Sequence, residues 1–138
     1  MEQYLQQNEF ENKILKLTTE HPQPGRHSFD EHRHIEFEIC CVKSGSGVYK
    51  TPQASYLMRP NDIFLFRSNE VHWISEIDIF EPMTLVNIHF EPRLIWSSET
   101  DFFNPNLIHL FVDKRRDFCN RLDRKNPMRK HILALFLS

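Results

Sequence analysis

At 138 residues the chain is long enough for one domain with a real core, and 40% apolar with 26% charged content is ordinary for a folded globular chain. No apolar run approaches the roughly 18 residues of a membrane span, and the opening MEQYLQQNEFENK is too polar and acidic for a secretory leader. The net charge of −2 hides a split: residues 1–112 hold 9 Lys/Arg against 16 Asp/Glu, whereas residues 113–138 hold 8 against 3, so the main body is too acidic to bind DNA by itself.

In chain order, short apolar runs alternate with turn residues from Lys13 to Glu91. The runs are ILKLTT, IEFEICCV, GVYK, ASYLM, DIFLF, VHWI and TLVNIHFE; between them lie PQPG, KSGSG, TPQ, RPND, RSNE and IFEP. Strands of this length with such close turns predict an all-β sandwich or barrel, and no helical periodicity is sustained across them. The glycines of KSGSG supply positive φ for a hairpin, and Pro60 and Asp62 suit a turn in RPND.

After Glu91 the pattern changes. Pro92 opens a helical first turn in PRLIWSS, and FFNPNLIHLF is an apolar connection. Phe118 and Leu122 lie one turn apart on an otherwise charged segment, predicting a helix over 113–124. Asn126-Pro127 is a cap and first-turn pair, followed by the helical stripe Met128, Ile132, Leu135 and Phe136. The domain division expected is therefore a barrel over 1–112 and a helical segment over 113–138. ILALFLS ends without a stop signal, which suggests either packing on a partner subunit or continuation into a further domain. The basic end reads first as a solvated helix face and second as the contact for an acidic partner or nucleic acid.

Residues with chemistry concentrate in HRHIEFEICCVKSGSG. Strand alternation places His32, His34, Glu36, Glu38, Cys40 and Val42 on one face, and Ile35, Phe37, Ile39 and Cys41 on the other. Beyond residue 38 both faces are apolar, so the strand is expected to be covered on both sides. His, His and Glu on one such face must meet water, a ligand, hydrogen-bond partners or a metal. Imidazole and carboxylate together suit a divalent ion, with His72 as the first choice for a fourth ligand and His89 second. A single His inside an apolar strand, as His89 is, more often serves as a hydrogen-bonded core residue. Trp73 and Tyr49 could stack on a sugar-like ligand, or else be rim and core aromatics. Arg33 and Arg59 could pair with an anion, solvated positions being the default. Cys40, Cys41 and Cys119 lack metal spacing and are expected to be free buried thiols in a reducing cytoplasm.

The spacing His32-x-His34-x3-Glu38-x6-Gly45 resembles the first cupin motif, and RPNDIFLFRSNEVHW resembles the second, with His72 as its histidine. In the second motif Ser68 and Asn69 stand where the usual Pro and Gly precede the histidine, and the trailing Asn is absent. The fuller resemblance, over roughly residues 14–137, is to the N-terminal effector-binding and dimerisation domain of AraC-type transcription regulators. It rests on HRHIEFEICCVKSGSG, LMRPNDIFLFRSNEVHW and TLVNIHFEPRLIW followed by two helices. The resemblance implies a double-stranded β-helix (jelly-roll) barrel followed by two α-helices. It also implies a small-molecule effector, often a sugar, bound at His32, His34, Glu38, His72, Trp73 and Tyr49. Dimerisation would run through Phe118, Leu122, Ile132, Leu135 and Phe136. DNA would be read only through a C-terminal helix-turn-helix domain that this chain does not contain. The rival expectation is a small metal-dependent cupin enzyme, a dioxygenase or isomerase, holding a divalent metal at His32, His34, Glu38 and His72.

Overall fold

The computed structural model describes residues 2–3, 15–27, 35–91, 109–111 and 119–136. Among them are nine strands: β1 Glu2–Gln3, β2 Leu15–Glu20, β3 Gly25–Arg26, β4 Phe37–Ser44, β5 Gly47–Lys50, β6 Ser55–Met58, β7 Ile63–Phe66, β8 Trp73–Ile77 and β9 Thr84–Phe90. One helix, α1, spans Met128–Leu135, and residues 109–111 are also helical. Each of the seven apolar runs becomes one strand. The two-residue strands β1 and β3 carry no apolar run, so nothing in their composition announces them.

The strands form two antiparallel sheets with orders β1-β2-β9-β4-β7 and β3-β8-β5-β6. This is the jelly-roll layout, in which consecutive strands repeatedly change sheet. That layout corrects the expected hairpin at KSGSG. Gly45 does have positive φ, 86°, but β4 pairs with β7 and β9 while β5 pairs with β6 and β8. The turn is a crossing between sheets. It is held tight against Pro82 and Met83: a Cβ on Gly45 would stand 2.7 Å from Met83 Cα. The Arg59–Asp62 turn is as expected, with Asn61 in the left-handed region and the Arg59 N–H donating to Asp62 Oδ2 at 2.9 Å.

The face assignment of β4 explains where the core sits. Cys40 and Val42 point between the sheets and pack with Tyr49, Phe64, Phe66 and Leu85. Phe37 and Ile39 point outward and pack with Ile63, Leu65, Ile88 and Phe90. An outer face this apolar needs a cover. Phe111, Leu122 and Ile132 supply it, with Met128, Leu133 and Phe136 partly buried at the margin. Both faces of β4 are thus covered, as its sequence required.

The C-terminal segment departs from expectation in one place. Residues 119–122 are not helical: the chain bends at Asn120 and Arg121 makes an isolated bridge to β7. Strand β7 ends its sheet, and its outer edge would otherwise leave backbone groups unpaired. The Leu65 N–H donates to Asn120 O at 2.8 Å, the Leu122 N–H donates to Ile63 O at 2.8 Å, and Phe64 bridges Arg121. The sheet edge therefore overrides the helical spacing of Leu122. Phe118 lies outside the described residues, as does the Leu135 side chain. The helix after it starts as its sequence predicts: Asn126 Oδ1 accepts the Met128 N–H at 2.8 Å, with Pro127 in the first turn. Arg124 fastens the segment to the barrel through two bonds to the buried Asp62, at 3.1 and 2.8 Å.

Of the cysteines, Cys40 and Cys41 are buried and free, but Cys119 is exposed, contrary to the expectation of three buried thiols. Burial pushes the Cys40 thiol well above its ordinary value, with the nearby Glu38 charge acting in the same direction. No helix among the described residues is long and apolar enough to cross a membrane.

Candidate functional site

Glu38 is the sequence-selected residue around which a site assembles. Strand alternation turns it into the barrel with Cys40 and Val42, and it is almost wholly buried. A carboxylate cannot stay there without donors. Three side chains from three other strand positions converge on it. His89, directly opposite in the β4–β9 register, places Nε2 2.8 Å from Glu38 Oε1. His72, just ahead of β8, places Nε2 3.5 Å from the same oxygen. The Tyr49 hydroxyl on β5 donates toward Oε2 at 3.5 Å.

The ring of His72 is held on both sides. Its Nδ1 lies 2.8 Å from the Glu70 carbonyl oxygen, and its face stacks on Phe66 with centroids 4.0 Å apart and planes 10° from parallel. A carbonyl oxygen only accepts, so Nδ1 carries the hydrogen. With Nδ1–H given to the carbonyl, Nε2 can donate to the Glu38 carboxylate only in the doubly protonated ring, and in the neutral ring it is left as an acceptor for a ligand hydroxyl. The preceding turn makes this possible: Asn69 sits at φ 60°, and Glu70 Oε1 accepts the Arg67 N–H at 3.0 Å. The Ser68-Asn69 departure from the usual motif therefore still delivers a positive-φ residue where the chain must bend.

Tyr49 is part of the core more than of the rim. Its ring centroid is 4.8 Å from Phe66 and 5.2 Å from Phe64, so only the hydroxyl end reaches the site. Burial raises its phenol well above the ordinary range, and the Glu38 charge raises it further. Tyr49 thus remains a proton donor to Glu38 throughout the neutral range. Trp73 is half-buried and stands on the wall, where an aromatic face can meet a ligand.

These groups border a cavity of about 220 Å³ at the mouth of the barrel. Glu38, Tyr49, His72, His89 and Asn87 form its polar inner wall; Glu20, Pro22 and His27 stand nearer the opening, with Trp73, Ile74 and Ile77 on the apolar side. Of the sequence-selected set, the fold brings together Glu38, His72, Tyr49 and Trp73. His32 and His34 lie outside the described residues. Among the described residues no group of three His, Cys, Asp or Glu side chains is arranged to hold a metal ion. Arg59 borders a different surface, away from this cavity.

His89 and Asn87 are what sequence reasoning underrated. Their signal was present: in TLVNIHFE they share one face of an apolar strand, two residues apart. Only the register adds what makes them functional candidates, since Cys40 faces Asn87 and Glu38 faces His89.

The profile of the family described as "AraC-like ligand binding domain" matches residues 16–130. The comparison with curated proteins found no match. Among solved structures, a Ralstonia eutropha protein provisionally described as a mannose-6-phosphate isomerase superposes with TM-score 0.56 at 21% identity, covering 66% of this chain and 83% of that one. A cupin-like protein from Thermotoga maritima gives 0.54 at 21% identity over 67% and 69%. A cupin 2 conserved barrel domain protein from Salinispora arenicola gives 0.54 at 18% identity over 68% and 77%. Identities this low establish the cupin barrel and nothing about chemistry.

Proposed function

The chain belongs to the AraC-like ligand-binding domain family, and on that premise we propose that it is the sensing part of a transcription regulator whose effector is a small, hydroxyl-rich molecule of sugar type. The observation that carries this reading is the polar wall of Glu38, Tyr49, His72 and His89 inside an otherwise apolar barrel, bordering a cavity of about 220 Å³. The Glu38 carboxylate accepts there, with His89 Nε2 donating to it, and hydroxyl groups of a ligand would donate to the carboxylate and to the neutral His72 ring. Trp73 offers a flat apolar face for the ring of such a ligand. His32 and His34 would extend the same wall from the start of β4.

A sensor works by binding one conformation better than another, so the effector must change how the barrel holds its C-terminal cover. Asn120 and Arg124 join that cover to β7 and to Asp62, and Phe66 of β7 stacks on His72 at the cavity. DNA recognition belongs to a separate domain linked to this one, since the acidic body of residues 1–112 repels a phosphate backbone.

The second reading is a metal-dependent cupin enzyme. It is favoured by the way His72 and Glu38 face each other, since 3.5 Å is the spacing of two tetrahedral ligands on an ion about 2.1 Å from each. It needs His32 and His34 to complete the set.

One experiment separates the two. Protein purified without added metal is assayed for bound metal and screened by thermal denaturation against monosaccharides and related polyols. A ligand present at about 100 times its Kd stabilises by about 2.7 kcal/mol. The sensor reading expects such a shift in the wild type, its loss in Glu38→Ala, and no stoichiometric metal. Stoichiometric metal that disappears in His32→Ala would replace the sensor reading with the enzyme.

A further inference from the structure

One row of the barrel interior carries polar atoms that the described chain leaves unpartnered. Thr18 on β2 pairs with Asn87 on β9, and Asn87 pairs with Cys40 on β4. Residues directly opposite each other share a face of the sheet. Cys40 packs between the sheets, so Thr18 and Asn87 point there too. Each of the two is only 3% exposed. Yet Thr18 Oγ1 and Asn87 Oδ1 are buried with no hydrogen-bond partner among the described residues. A buried polar atom without a partner is destabilising, and an apolar pair of the same shape would serve the fold better.

The place of this row gives the polar pair a use. Asn87 borders the cavity, two residues before His89 on the same strand face. Glu38 lies opposite His89, which makes Asn87 its diagonal neighbour, at about 7 Å. The Glu38 carboxylate and the Thr18–Asn87 pair therefore stand in adjacent rows of one wall.

We propose that Thr18 and Asn87 form a second hydroxyl subsite and that Asn87 sets the specificity of the cavity. A hydroxyl is the group that fits, because it both donates and accepts. It donates to Asn87 Oδ1 and accepts from the Thr18 hydroxyl. A carboxylate or carbonyl on the ligand only accepts, and would leave Oδ1 unpartnered. The subsite rests on the sensor reading and narrows it. The ligand must carry hydroxyls far enough apart to reach both rows, as on opposite edges of a pyranose or cyclitol ring. A three-carbon polyol reaches one row at a time.

Thermal denaturation and calorimetric titration of the whole chain, with Thr18→Val and Asn87→Leu, test the subsite. The probes are aldohexoses, aldopentoses, myo-inositol and glycerol. Both substitutions keep the side chain close in shape and remove the unpartnered polar atoms. Without probe, each variant should melt at or above the wild-type midpoint. A ring polyol should bind the wild type more tightly than glycerol does, and each variant should bind that polyol roughly tenfold more weakly. A polyol bound equally by the wild type and both variants overturns the inference and leaves the sensor reading in place, as does glycerol bound as tightly as any ring polyol. Probe-free midpoints that fall in both variants also overturn it, because the two side chains then serve the fold. If no ring polyol binds the wild type, the sensor reading fails and the subsite fails with it. Should one variant lose its fold, the other, on a separate strand, still reads the subsite.

Discussion

Replacing Ile132 with Ala tests the central architectural claim, that α1 is a layer of this barrel. Ile132 is 0% exposed and packs in the cluster formed by Phe37, Ile39, Ile63, Leu65, Ile88 and Phe90. The substitution removes three carbons, about 2.4 kcal/mol at about 0.8 kcal/mol per buried methylene. A cavity term is added because the sheet on one side cannot follow the shortened side chain, and the whole loss for such changes runs from about 2 to 5 kcal/mol. The midpoint of that range, about 3.5 kcal/mol, is the expected value. It is a large part of the total stability of a domain of this size. Urea titration followed by tryptophan fluorescence measures it, with the slope of the transition unchanged. The measurement is repeated over a wide range of protein concentration. A side chain in the chain's own core costs the same at every concentration, whereas one at a subunit interface costs less on dilution. A loss under about 1 kcal/mol, or one that follows concentration, would refute the assignment of α1 to the barrel.

Alkaline stability should be set by the barrel interior. Tyr49 and Cys40 keep their protons in the fold at pH values where the unfolded chain releases them, because burial and Glu38 raise both. Their contribution is complete below the ordinary thiol value of 9.0 and phenol value of 10.0, and drains as pH rises beyond each. Denaturation midpoints should therefore fall above that range, and Tyr49→Phe should fall less steeply while losing about 1–3 kcal/mol at neutral pH for the donor taken from Glu38; an equal slope in both proteins would remove Tyr49 from the account. Gly47→Ala should be costly although its backbone is unremarkable, since the new Cβ would lie 2.3 Å from Glu76 O and β8 must shift. A loss of about 1–3 kcal/mol is expected by thermal denaturation, and a neutral effect would mean that the two strands are not in this register.

Seven strands, the turn at Arg59–Asp62 and the cap at Asn126 were legible because each depends on neighbours in sequence: apolar runs of strand length, a Pro fixing φ, a side chain bonding its own backbone. The helix expected over 113–124 was misread in its described part for the converse reason. Leu122 satisfies helical spacing, but its N–H is claimed by Ile63 on an open sheet edge some 60 residues earlier, and edge pairing is invisible to local pattern. The same holds for KSGSG, whose glycine angle was predictable but whose strands pair elsewhere.

Of the candidate site, alternation put Glu38 on one face of β4 with Cys40 and Val42, and the second motif offered His72; that this face is the interior one came from the strand pairing. By itself the sequence determined that a carboxylate, Glu38, would share a strand face with Cys40 and Val42, and that such a group needs partners. Only the tertiary structure decided which ones. Register across β4 and β9 set His89 against Glu38, the Glu70 carbonyl and Phe66 fixed the ring of His72, and core packing left Tyr49 only its hydroxyl to contribute. Likewise the apolar stripe of the last helix was evident, but whether it met another subunit or its own sheet depended on an uncovered outer face, Phe37 to Phe90, that exists only once the strands have paired. Hydrophobicity states that a surface must be buried; the chain's topology states against what.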